Sequence, residues 1–117
     1  MKNIKVQIPG KSYPVLIGKN ILSELPKQIK KLKLNKNIFV VIDRNVFSLY
    51  KNELEKVFKK IDGKYSQIVI NAKEKEKSIE TLEKIYATLI KKNFGRDTVI
   101  IAVGGGIVGD IAGYAAA

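Results

Sequence analysis

Gly104, Gly106 and Gly109 stand at the spacing G-x-G-x-x-G, directly after an apolar run at residues 98–103 and just before a segment of small residues. Glycine tolerates positive φ and, lacking a side chain, lets main-chain N–H groups approach a ligand closely. A helix beginning there adds a partial positive charge, so a phosphate or diphosphate suits such a bend. Asp110 adjoins the last glycine. It either stabilises the first turn of its helix or points into a crevice to fix an amide or hydroxyl. Asp43 closes a second apolar run, residues 37–42. Its carboxylate can accept two ribose hydroxyls or cap the helix that follows. Glu74 and Lys77 lie in a third polar stretch, residues 71–77, beside Lys73, Lys75 and Glu76. Taken alone, that stretch reads as a solvated charged turn.

The glycine spacing needs its context. In the usual dinucleotide fingerprint the loop follows the first strand, with an acidic residue about 20 residues later. Here it follows a late strand, so that assignment fails on order. No Gly-Lys-Ser/Thr follows, so it is not a P-loop either. The competing reading is a tight turn that serves only helix–sheet packing. Other chemistry is excluded by composition. The chain has no cysteine and no histidine. Disulfides, thiolates, Ser-His-Asp and Cys-His arrangements and histidine-based metal sites are therefore outside its reach.

Positioning these loops falls to an alternation of strands and helices. Ile4, Val6 and Ile8 alternate with polar residues as a half-buried strand does, Pro9-Gly10 is the turn, and residues 11–17 form a second strand. Pro14 places that strand at an edge. Residues 20–34 carry a helical pattern that Pro26 splits into two short helices or kinks. The apolar run 37–42 predicts a strand covered on both faces, followed by a loop with Asn45 as the helix N-cap. Val46, Leu49, Tyr50, Leu54, Val57, Phe58 and Ile61 share one helical face. Residues 65–70 form the next strand, and Ser78 caps a helix whose buried stripe is Ile79, Leu82, Ile85, Tyr86, Leu89 and Ile90. Residues 98–103 form the last strand. The fold class is α/β, a Rossmann-like parallel sheet with flanking helices, preceded by an antiparallel hairpin. In such a sheet ligands bind at the carboxyl ends of the strands, where the loops Asp43-Arg44-Asn45, Asn71 to Lys77 and Gly104 to Asp110 would all lie.

With 117 residues, 45% hydrophobic and 28% charged, the chain has the size and composition of one globular domain. No apolar run approaches the roughly 20 residues that span a bilayer, and the first residues lack a signal peptide's apolar block, so a cytoplasmic location is the default. The net charge is +11, which raises the prior for phosphorylated or polyanionic partners. Fourteen of the 22 basic residues fall in residues 1–60, but only Arg44 and Arg96 are arginine and the lysines are scattered. Nucleic-acid and membrane partners are not expected, although a basic polyanion-binding module without catalysis is the alternative from another functional class.

The segment Gly104-Gly105-Gly106-Ile107-Val108-Gly109-Asp110-Ile111-Ala112-Gly113-Tyr114-Ala115-Ala116-Ala117 resembles the G-G-G-x-x-G-D-x-x-G-(aromatic)-x-A-A signature of the 3-dehydroquinate synthase family. Gly95-Arg96-Asp97-Thr98 is similar to the stretch before it, Glu74-x-x-Lys77-Ser78 to the family's G-E-x-x-K-S loop, and Asp43-x-Asn45 to its first nucleotide loop. Lys11-Ser12-Tyr13-Pro14 resembles the early hairpin. Related sugar-phosphate cyclases and glycerol-type dehydrogenases share the triple glycine, but Gly109-Asp110 and Gly113-Tyr114 favour the synthase. The resemblance implies conversion of 3-deoxy-arabino-heptulosonate 7-phosphate, a sugar phosphate of the shikimate pathway, into 3-dehydroquinate and phosphate. It implies bound NAD and a divalent zinc or cobalt ion, and a homodimer.

The same matching implies a cofactor-binding set of Asp43, Asn45, Glu74, Lys77, Gly105, Gly106, Ile107, Gly109 and Asp110, with Lys77 and Asp110 also reaching the substrate. Ala72 and Lys73 depart from the acidic residue and glycine that the family has before the glutamate. The resemblance further implies a C-terminal helical domain, with a glutamate and two histidines for the metal, that is expected to lie outside residues 1–117. The expectation is that residues 1–117 are the NAD-binding domain of a longer enzyme, inactive alone and with no complete catalytic set or metal ligands of its own.

Overall fold

The computed structural model describes residues 2–32, 37–61, 63–71, 73 and 79–117. Lys2–Val6 (β1) and Tyr13–Ile17 (β2) pair antiparallel, with Ile4 opposite Val15 and Val6 opposite Tyr13. The Lys11 amide donates to the Ile8 carbonyl at 2.8 Å, and Gly10 takes the turn at φ 76°. Both strands are shorter than their apolar patterns, since Ile8, Lys11 and Ser12 belong to the connection. Nor is the hairpin half-buried: Ile4, Tyr13, Val15 and Ile17 are exposed. A two-stranded ribbon needs another layer to bury its apolar face, and no other described element packs substantially on this one.

A 3₁₀ turn at Ile21–Glu24 leads into Leu25–Lys31 (α1). Pro26 thus separates two short pieces as expected, and it sits in the first turn of α1, where a missing N–H costs nothing. Next come Asn37–Asp43 (β3), Arg44–Lys59 (α2), Lys64–Ile70 (β4), Ile79–Lys91 (α3), Val99–Val103 (β5) and Gly106–Ala116 (α4). The last three strands form one parallel sheet in the order β4-β3-β5. Ile38 to Ile42 in the central strand are all buried, which accounts for their unbroken apolar run.

Two cores result. Ile38, Val40 and Ile42 pack with Leu54 and Phe58 of α2, and Leu22 and Leu25 cover the margin. On the other face Phe39 and Val41 meet Ile85 of α3 and Val108, Ile111, Ala112 and Ala115 of α4. Phe94 closes this side edge-on to Phe39, with ring centroids 5.4 Å apart. Helices α2 and α4 therefore lie on opposite faces of the sheet.

The helical stripes read from sequence are wider than the surfaces they meet. Leu49 and Tyr50 of α2, and Ile79, Tyr86 and Ile90 of α3, are exposed rather than buried. In α2 the cause is local: Tyr50 leaves helical geometry at φ −126°, ψ 17°, and the break shifts the first turns relative to the buried stripe of Leu54, Val57 and Phe58. In α3 a three-stranded sheet has room for Ile85 and, partly, for Leu82 and Leu89. Ser78, the expected cap of α3, lies outside the described residues. Among the described residues no helix is long and apolar enough to cross a membrane.

Candidate functional site

Because β4, β3 and β5 are parallel neighbours, their carboxyl ends share one rim. Asp43 is level with Ile70 of β4, and Ile42 with Val103 of β5, so Asn71, Asp43 and Gly104 succeed one another along it. The chain leaves β3 toward α2 on one face and leaves β5 toward α4 on the other. Neighbouring strands whose connections diverge in this way open a crevice between their ends, the usual ligand position in α/β sheets.

Gly104 forms the wall between the two ends. Its φ is 151°, and a Cβ there would stand 2.8 Å from Val108 Cγ2 and 3.1 Å from Asp43 Cβ. No side chain fits, and the β5 bend therefore lies directly against Asp43. Gly105 follows as the N-cap of α4, at φ −87° and ψ −165°, with no side-chain hydrogen bond closing the helix end. The first amide bonded within the helix is that of Gly109, which donates to the Gly105 carbonyl at 3.2 Å. The preceding amides, Gly106 to Val108, belong to the first turn and have no acceptor inside the helix. Around Gly105, Gly106, Gly109 and Gly113 a Cβ would meet nothing within 4 Å among the described residues. These glycines are not packing residues. Val108, Ile111, Ala112 and Ala115 pack α4 on the sheet, while the glycines leave the opposite face and the helix entrance open.

The other expected site residues are placed as follows. Asp43 is half-buried, and its Oδ2 accepts the Val46 amide at 3.4 Å, which makes Asp43 the N-cap of α2. Asn45, expected to cap, is instead the second residue of the helix and exposed. Such a cap contributes about 1 kcal/mol. Ile107 is partly buried against the α3–α4 core. Asp110 is exposed and is the fifth residue of α4, one turn further in than the first turn expected for it. Glu74 and Lys77 lie outside the described residues. The structure thus brings together Asp43, Gly104, Gly105 and Gly106, and places Asn45 and Asp110 on the helices that start from those two strand ends.

One feature of the rim has no counterpart in the sequence reading. Arg44 Nε donates to Asn71 Oδ1 at 2.9 Å, which ties the β3 end to the β4 end. The Asn71 carbonyl also accepts the Lys73 amide at 2.9 Å. The only local signal was a polar residue directly after each strand. Two other concavities, of about 330 Å³ beside Tyr65 and about 430 Å³ beside Tyr86 and Phe94, share no residue with the rim. No group of three or more histidine, cysteine, aspartate or glutamate side chains suited to a metal occurs among the described residues.

Solved structures of 2-deoxy-scyllo-inosose synthase superimpose on this chain with a TM-score of 0.82 and 20% sequence identity. Each match covers 97% of this chain, and 30% or 32% of the other. One of them is a complex with carbaglucose-6-phosphate, NAD⁺ and Co²⁺. The chain therefore has the fold of the matching part of 2-deoxy-scyllo-inosose synthase. Residues 67–117 match the family described as 3-dehydroquinate synthase N-terminal. The 3-dehydroquinate synthase of Clostridium acetobutylicum is 39% identical over all 117 residues, and that of Shewanella pealeana 34% identical over 116. By these matches the chain is similar to the N-terminal part of 3-dehydroquinate synthases. It spans about a third of the length of these curated relatives, 33% and 32%.

Proposed function

We propose that the chain is the NAD-binding domain of a cytoplasmic, homodimeric 3-dehydroquinate synthase, the enzyme that converts 3-deoxy-arabino-heptulosonate 7-phosphate into 3-dehydroquinate and phosphate. The observation that carries this reading is the uncovered glycine bend at the start of α4, lying against Asp43 where neighbouring strands diverge. The geometry suits a dinucleotide. Main-chain N–H groups at Gly105, Gly106 and Ile107 would face its diphosphate, with Gly109 keeping the turn beside them clear of a side chain, and the α4 dipole would favour the negative charge. Asp43, with Asn45 beside it, would accept ribose hydroxyls. Glu74 and Lys77 would join from the neighbouring loop, Lys77 with an ammonium suited to a phosphate, and Asp110 would reach the substrate from the open face of α4. Bound NAD supplies a two-electron acceptor for a substrate hydroxyl. The complex of a same-fold neighbour with NAD⁺ and Co²⁺ supports this cofactor.

The residues present do not fit the family's zinc or cobalt ion. The sequence has no histidine or cysteine, and no suitable cluster occurs among the described residues. The metal's ligands are therefore placed outside this chain, and these 117 residues are not expected to turn over substrate alone. A polyanion-binding module remains the contrasting reading, and salt separates the two. The chain is expected to bind NAD⁺ with an affinity that changes by less than about threefold between 50 and 200 mM salt, because few phosphate charges are neutralised. Fluorescence titration with NAD⁺, and in parallel with a labelled oligonucleotide, checks this. Tight oligonucleotide binding that falls by about 10³-fold or more over that range, with no NAD⁺ binding, would replace the enzyme reading by the module.

A further inference from the structure

Dinucleotide sites in α/β folds commonly distinguish the two nicotinamide cofactors at the end of the strand next to the glycine loop. An acidic residue there accepts the ribose 2′-hydroxyl of NAD⁺, whereas an arginine accommodates the 2′-phosphate of NADP⁺. This chain has both side by side, Asp43 and Arg44, at the end of β3. With the diphosphate at Gly105 and Gly106, the order β5, β3, β4 carries one nucleoside arm along the rim past Asp43 and Arg44. Arg44 is exposed and already held: its Nε donates to Asn71 Oδ1 at 2.9 Å. Its two Nη groups have no hydrogen-bond partner among the described residues, which leaves four N–H donors in one plane. An arginine fixed through Nε presents that planar fork at little further entropic cost, and the fork matches a phosphate. Asp43 in turn accepts the Val46 amide as the cap of α2. Part of its charge is thereby satisfied, so a neighbouring phosphate meets less repulsion than it would from a bare carboxylate.

We infer that this site accepts the 2′-phosphorylated dinucleotide NADP⁺ as well as NAD⁺, with Arg44 as the specificity-determining residue. The inference rests on the dinucleotide reading above. Its test is the ratio of the dissociation constants for NADP⁺ and NAD⁺, measured calorimetrically on the chain at about 0.15 M salt, where long-range attraction between exposed charges is largely screened. The ratio is expected to lie within about tenfold of one, and to rise by about tenfold or more in Arg44→Gln, the loss expected for a charge-assisted hydrogen bond. Arg44→Lys, which keeps the charge without the fork, should restore part of that loss. Lys30→Gln removes an equal charge from an exposed position of α1 and should leave the ratio unchanged.

Circular dichroism confirms that each variant is folded. NAD⁺ binding without measurable NADP⁺ binding would overturn the inference and leave the dinucleotide reading standing. So would a ratio that Arg44→Gln moves less than twofold, or that Lys30→Gln moves as much. A folded wild-type chain that binds neither cofactor would overturn both.

Discussion

Replacing Gly104 by alanine is expected to destabilise the chain by about 2–5 kcal/mol, the combined cost of a backbone region closed to side chains and of an overpacked contact. The φ of 151° is one that L side chains rarely adopt, and the added methyl would lie 2.8 Å from Val108 Cγ2 and 3.1 Å from Asp43 Cβ. Neither neighbour can withdraw easily. Val108 is fully buried under the sheet among Phe39, Val41 and Ile111, and Asp43 is fixed as the cap of α2. Whole domains are stable by only about 5–15 kcal/mol, so the loss is a large fraction of the total. Urea denaturation measures it as a lowered midpoint at unchanged slope. A change below about 0.5 kcal/mol, the size expected at an unconstrained surface position, would mean that the bend relaxes and does not lock the β5 end against Asp43.

Gly106→Ala is expected to have the opposite profile, with stability kept and nucleotide binding lost. Residue 106 opens α4, and a Cβ there would meet nothing within 4 Å among the described residues. Alanine is the better helix former by up to about 1 kcal/mol, so stability should hold or rise slightly. A helical Cβ, however, tilts toward the N-terminus. The methyl would therefore intrude where a diphosphate approaches the first-turn amides. Losing one or two charge-assisted hydrogen bonds corresponds to a fall in NAD⁺ affinity of about tenfold to a hundredfold. Isothermal titration of the variant beside a urea melt checks both halves. If Gly106→Ala binds NAD⁺ as tightly as the native chain, ligand does not use this helix entrance, and the glycines there serve some other end.

The two glycines differ in how much of their role was legible in the sequence. The G-x-G-x-x-G spacing after an apolar strand already pointed to a bend that main-chain amides could expose. It did not tell Gly104, which is sterically required, from Gly106, which is free, because that distinction depends on Val108 and on a strand far away in sequence. The unbroken run at 38–42 announced a strand covered on both faces, while the equally apolar β5 is only partly buried at the edge of the described sheet. The order β4-β3-β5 followed from no single residue, and with it the meeting of Asp43 with Gly104 and of Arg44 with Asn71.

Side-chain preference misassigned the α2 cap to Asn45. Asparagine and aspartate cap almost equally well, and the strand runs through Asp43, so the helix begins two residues earlier than a cap at Asn45 would place it. Leu49, Tyr86 and Ile90 look like core by periodicity but are exposed, because three strands and one break in α2 set the area that is covered. Glu74 and Lys77 were singled out by the resemblance to the family's loop and lie outside the described residues.

The decisive measurement is an amide-resolved NMR titration of the ¹⁵N-labelled chain with NAD⁺. The largest shifts are expected at Gly105, Gly106 and Ile107, followed by Asp43 and Arg44, with the outer surfaces of α1 and α3 unmoved. Shifts spread over the lysines of α1 and α2, or confined to the opposite end of the sheet with the Gly105–Ile107 amides silent, would contradict a dinucleotide seated at this bend.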